Sequence, residues 1–189
     1  MNFFIFIFII FSNFLFALNS DYYFTQYNIK KYNDSNGFPS SVVYSITQTQ
    51  DGYLWFGTEA GLVQYNGTNY NIFDRTFFKE LQISKISVII EDINKNSLWL
   101  GTFDGYLIHF DYKNKKYKIS QNDIIKNSGS IVQLYYDNDI LNIITKKNNI
   151  FSYKNGNITE LKVSEKYLKL SLISPSKNTD ELFLFLNEK

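Results

Sequence analysis

The sequence predicts an all-β fold: a β-propeller of antiparallel four-stranded blades of about 43 residues each, incomplete at about three and a half blades. Three observations predict it. A Leu-Trp-hydrophobic-Gly-Thr stretch occurs at Leu54–Thr58 and again at Leu98–Thr102. Each copy sits among short alternating segments punctuated by turn residues. No helical periodicity of any length follows residue 20. A β-sandwich competes, but it needs long crossovers between sheets, whereas every connection within a unit here reads as a hairpin.

The elements follow in chain order. Residues 1–20, "MNFFIFIFIIFSNFLFALNS", hold no charge, and only Ser12 and Asn13 interrupt the apolar run from Phe3 to Leu18. That length suits a signal peptide, with Ala17 or Ser20 before the cleavage point, and is short for a membrane span; an uncleaved N-terminal anchor is the other reading. Either way the chain is expected to be exported to the periplasmic or extracellular face. Residues 22–30 are expected to form a lead-in strand, Phe24 to Ile29 completing the last blade of a full ring.

Blade 1, about 41–74, runs "YSITQT", "YLWFGT", "LVQY" and "NYNIF", with corners at Asp51-Gly52, Glu59-Ala60-Gly61 and Asn66-Gly67. Asp-Gly and Asn-Gly suit two-residue hairpin corners, where both central residues take positive φ. Blade 2, about 83–120, runs "KISVIIED", "SLWLGT", "YLIHF" and "KYKIS". Blade 3, about 130–163, is a decayed copy: "IVQLYYD", "ILNIIT", "NIFSYKNGNI" and "TELKV", with Asn142 in place of the Trp, Ile144 in place of the Gly, and Thr145 kept. A fourth blade begins at about 167–189 with "LKLSLIS" and "ELFLFLNEK".

The 44% of apolar residues are enough for a core. A formal charge of +1 and a single arginine, Arg75, leave no electrostatic footprint for nucleic acid. The absence of Cys excludes disulfides and thiol chemistry. With one histidine, His109, a catalytic constellation lacks parts, and no cofactor or metal is expected. His109 in the alternating strand "YLIHFD" reads as an ordinary strand histidine.

Trp55 and Trp99 recur at one position of the repeat, which assigns them to packing between blades rather than to display for a ligand. Gly57 and Gly101 within strands mark a close approach of another backbone or a bulge, and Thr58 and Thr102 are expected to bond back into the turn that follows. No helix follows either Gly-Thr on whose N-terminus a phosphate could sit. Ligands of propellers commonly meet the turn after the second strand, so the candidate ligand-binding residues are Glu59, Phe103, Asp104, Lys146 and Lys147.

The stretch from Phe24 to Phe73, with Gly37-Phe38-Pro39, Gln50-Asp51-Gly52, Leu54-Trp55-Phe56-Gly57-Thr58, Gly61-Leu62 and Tyr65-Asn66-Gly67, resembles the opening blade of two-component regulator propellers. Phe38 stands where that pattern has Leu, and Asn66 where it has Asp. The second copy resembles the pattern well, the third by register alone.

The resemblance implies a non-catalytic, extracytoplasmic sensory module for a small ligand, carbohydrate among the classes. In full-length form it implies a membrane-linked kinase or other output domain and a homodimer partner. Because a ring closes with about 4 to 8 blades and residues 21–189 supply about three and a half, the chain is expected to be the N-terminal part of a longer gene product, or the product of a gene truncated by frameshift. A stand-alone secreted propeller serving as a binding or scaffold protein is the alternative. An enzyme would need His, Arg or paired carboxylates clustered at the channel mouth.

Overall fold

A computed structural model describes residues 31–33, 35, 37–81, 85–92, 94–120, 122–137, 139–161, 170–175 and 182–186. The export segment and lead-in strand expected at 1–30 lie outside them. The chain divides at Tyr32, and every strand described below belongs to the unit from Asn33 to Lys189.

Three four-stranded antiparallel sheets follow one another, each in simple meander order. The first holds β1 (Val43–Gln48), β2 (Leu54–Thr58), β3 (Leu62–Tyr65) and β4 (Tyr70–Phe73). The second holds β5 (Ile86–Asp92), β6 (Ser97–Thr102), β7 (Leu107–Asp111) and β8 (Lys116–Ser120). The third holds β9 (Ile131–Asp137), β10 (Ile140–Thr145), β11 (Ile150–Lys154) and β12 (Asn157–Leu161). A two-stranded hairpin, β13 (Leu170–Pro175) with β14 (Leu182–Leu186), comes last. The repeat is therefore a propeller blade, present about three times.

The repeated residues have one job. Alternation along β2 puts Trp55 and Gly57 on one face and Phe56 and Thr58 on the other. The Trp55 ring, fully buried, packs on blade 2, with centroids 6.0 Å from Phe110 and 5.6 Å from Tyr112. Trp99 repeats the contact with blade 3, 4.8 Å from Tyr153. The glycines let the next blade come close: a Cβ on Gly57 would lie 2.9 Å from the Ile86 carbonyl oxygen, and one on Gly101 would lie 2.7 Å from Ile131 Cγ2. Two apolar clusters result, one around Trp55, Leu98 and Phe110, the other around Trp99, Ile143 and Phe151.

The opposite face of each blade carries the receiving residues. Ile86 and Ile89 of β5 are 0% and 7% exposed against blade 1, and Ile131 and Leu134 of β9 are 0% and 6% exposed against blade 2. Their register equivalents in β1, Val43 and Ile46, are 39% and 62% exposed. Phe38, from the segment before β1, packs edge-on against Phe56 at 5.2 Å and covers part of that face.

The structure departs from the sequence expectations in three places. A five-residue helix, α1 (Asp123–Asn127), joins blades 2 and 3; the Asn122 side chain caps it by accepting from Ile124 N at 2.9 Å. One turn and a half of helix is too short to leave a periodicity. The corners at Asp51-Gly52 and Asn66-Gly67 are not two-residue turns: only the glycines take positive φ, and Tyr65 pairs with Tyr70 across a four-residue loop. The Asn66 side chain organises that loop instead, accepting from Thr68 N at 2.9 Å and Asn69 N at 2.7 Å. The two-residue corner with two positive φ values is Asn155-Gly156, at 51° and 88°. It cuts "NIFSYKNGNI" into the end of β11 and the start of β12. Among the described residues, no helix is long and apolar enough to cross a membrane.

Candidate functional site

Each Thr at the end of a second strand builds the loop beyond it. Thr58 Oγ1 donates to Gly61 O at 2.9 Å and accepts from Ala60 N and Gly61 N at 3.1 Å each. Thr102 Oγ1 accepts from Tyr106 N at 2.8 Å and donates to Asp104 Oδ1 at 2.6 Å. The residue after each Thr then bonds to the chain entering the same blade: Glu59 N to Val42 O at 3.3 Å, Phe103 N to Lys85 O at 3.2 Å, Lys146 N to Ser130 O at 2.8 Å. All three blades thus present this residue at the same end of the sheet.

Blades 1 and 2 bring their loops together there. The Lys85 ammonium pairs with the Glu59 carboxylate, and that hydrogen bond and charge hold Lys85 above its usual range. Both side chains stay well exposed, so solvent screens the pair and it adds little to stability. Beside it the Tyr44 and Phe103 rings, 39% and 38% exposed, meet across the blade boundary with centroids 4.5 Å apart. A shallow cleft of about 490 Å³ adjoins Glu59 and Ala60, walled by Gly37 to Ser41.

Of the residues expected from sequence, Glu59 and Phe103 meet through Lys85 and Tyr44. Asp104 does not join them: its carboxylate is turned back onto Thr102. The Lys147 ammonium is bound to Asn127 O at 2.7 Å, satisfying a carbonyl at the end of α1. Tyr44 and Lys85 were not legible as site residues, since one sits in a strand and the other precedes one. Their partners lie in the neighbouring blade.

His109 stands elsewhere, at mid-strand in β7. Its Nε2 is 2.7 Å from Ser97 Oγ, and its ring lies 4.4 Å from that of Trp99. Burial holds it below the usual imidazole range, against the pull of Asp92. Among the described residues no three His, Asp or Glu stand close enough to hold a metal ion.

Comparison with known proteins agrees with the propeller fold. Residues 37–60, which include the Trp55 strand and the Glu59 loop, match the family model described as "Two component regulator propeller". No curated protein matches. Among solved structures, the extracellular domain of BT4673 from B. thetaiotaomicron, assigned to a one component system, superimposes with a TM-score of 0.62 at 21% identity over 79% of this chain and 21% of its own. The extracellular domain of BT3049 from the same organism, assigned to a hybrid two component system, gives 0.59 at 21% identity over 69% of this chain and 19% of its own. The chain therefore spans about a fifth of the length of each. Recurrent Leu-Trp strands, meander blades docked glycine face to isoleucine face and these superpositions together show a propeller fold, within which residues 37–60 are similar to a two-component regulator propeller repeat.

Proposed function

We propose that the chain is a non-catalytic, extracytoplasmic sensory propeller. It binds a small ligand at the loop end of blades 1 and 2, and in full-length form it hands the signal to a membrane-linked output domain. The observation that carries this reading is the exposed Tyr44 and Phe103 pair set beside the Glu59 and Lys85 ion pair. Exposed aromatic faces next to fixed charges supply both stacking area and hydrogen-bonding groups, and these residues differ between blades as recognition residues on a common frame do. Both kinds of group suit carbohydrate, the ligand class that the family resemblance implies.

Thermal-shift screening of the chain against defined oligosaccharides tests it. A stabilising ligand should lose its effect in Phe103→Ala and in Glu59→Gln, with the circular dichroism of each variant unchanged. A shift that survives both substitutions refutes the placement of the site. Export is tested separately by fusing residues 1–30 to alkaline phosphatase, which is active only outside the cytoplasm; an inactive fusion refutes the location.

A further inference from the structure

Blade 2 differs from its neighbours at one position of the face it turns to blade 3. Strand pairing sets Ile90, Trp99, His109 and Lys118 side by side in a row across that face. The same row in blade 1 runs Thr47, Trp55, Gln64 and Asn71, and its polar members close on each other, Asn71 Nδ2 donating to Gln64 Oε1 at 3.0 Å. In blade 3 the position of Gln64 and His109 falls to Ser152. Of the three, blade 2 alone places there a side chain whose charge changes between pH 8 and pH 5.

The His109 ring lies where a charge is felt at the boundary. It rests on the Trp99 ring at 4.4 Å, and Trp99 meets Tyr153 of blade 3 edge-on at 4.8 Å. The Tyr136 hydroxyl, also of blade 3, stands in hydrogen-bonding position to both Trp99 and Asp92. Four charged groups of blade 2 act on the imidazole: Asp92 and Asp111 favour its cation, Lys95 and Lys118 oppose it. Across a cleft of about 870 Å³ stand Tyr136 and Tyr153, with Asp139 and Lys154 offsetting each other in charge. Burial outweighs the attraction of the carboxylates and holds the ring below the usual imidazole range.

A proton on His109 works against the contact in two ways. The cation is better solvated in the open cleft than against a buried indole. It also draws on Asp92, the carboxylate that Tyr136 meets from blade 3. A cation–π contact with Trp99 opposes both effects. The neutral ring belongs to the closed arrangement, so acid favours the open one: the effect sets in below about pH 6.5 and saturates below the folded value.

We propose that the boundary between blades 2 and 3 is a pH-sensitive hinge, closed while His109 is neutral and loosened when it takes up a proton. The boundary between blades 1 and 2, with Gln64 at the same position, does not respond. Outside the cytoplasm, the location proposed above, the hinge meets the pH of the medium directly.

Amide exchange of the full chain, corrected for intrinsic rates and followed from pH 7.5 downward, reads the hinge. Protection in β9 should fall about threefold or more as the His109 ring signals titrate, while β5 keeps its protection. Nuclear Overhauser contacts between Trp99 and Tyr153 should weaken over the same range. His109→Gln, which installs the residue of blade 1, should hold both readings flat. Lys118→Gln removes a cation beside the ring and should move the transition to higher pH; it decides the matter if His109→Gln fails to fold. Protection that falls equally in β5 and β9 is global destabilisation and overturns the hinge. So do Trp99–Tyr153 contacts that persist while the ring titrates, the imidazolium then staying stacked on the indole. A response that survives His109→Gln, or a midpoint unmoved by Lys118→Gln, overturns it as well.

Discussion

Replacing Gly101 with alanine isolates the close approach that joins blade 2 to blade 3. The added methyl would sit 2.7 Å from Ile131 Cγ2, 2.7 Å from Val88 Cγ1 and 2.8 Å from Ile131 Cβ. Ordinary carbon contacts need about 3.5–4 Å, so something must give by close to an ångström. Ile131 is fully buried with its Cβ fixed to the backbone of β9, and Val88 is the cross-strand partner of Gly101 in its own blade, so relief needs the two sheets to move apart and Val88 to turn aside. Overpacking of this kind costs about 1–3 kcal/mol, and two branched neighbours place this site in the upper half of that range. In a chain of this size about 2–3 kcal/mol lowers Tm by roughly 4–12 °C. Urea unfolding followed by circular dichroism, with a matching thermal melt, reads the change. A variant within about 0.5 kcal/mol of wild type would refute the claim that glycine is required here by contact between blades.

Gly156→Ala makes the contrasting case: no atom lies within 4 Å, so only the positive φ of 88° resists it, and the loss should stay near about 1–2 kcal/mol in the same urea assay. Thr58→Val keeps the shape of a fully buried side chain but strips the acceptor from Gly61 N; the unmet amide should cost about 1–3 kcal/mol, again by urea unfolding. His109 makes stability depend on pH. Its folded value lies below the usual 6.5, so between the two the unfolded chain binds a proton that the folded one does not. Stability should fall as pH drops through about 6.5 and level off below the folded value. As the chain has one histidine, His109→Gln should remove that slope from a series of melts between pH 8 and pH 5.

The propeller was legible because each blade repeats the same physical requirements. Trp at one strand position fills the gap to the next blade, Gly beside it makes room for an isoleucine, and Thr ties off the turn. Two copies of that set, Leu54–Thr58 and Leu98–Thr102, suffice to read a blade. Blade 3 was readable only by register, because Asn142 and Ile144 replace the marker residues while β10 keeps its buried core. What stayed hidden depended on neighbours distant in sequence. Phe103 could be picked from its loop, but nothing local says that it would meet Tyr44, nor that Lys85 would turn toward Glu59. Nor could the partners of the two tryptophans be told apart: Trp55 meets Thr49 of its own blade, whereas Trp99 meets the Tyr136 hydroxyl of the following one.

The uneven covering of equivalent strands means that likeness in sequence does not carry likeness in energy. Val43 and Ile46 occupy the same repeat positions as Ile86 and Ile89, yet the former pair faces solvent and the latter a packed sheet. Trimming Ile46 to alanine should fall within about 0.5 kcal/mol of neutral, as exposed substitutions do, while the same change at Ile89 should cost about 2–5 kcal/mol. In a stack where each unit is steadied chiefly by those it touches, cooperativity runs along the row through packed faces. Amide exchange should therefore be faster in β1 than in β5 or β9, a gradient written by position in the row rather than by the residues themselves.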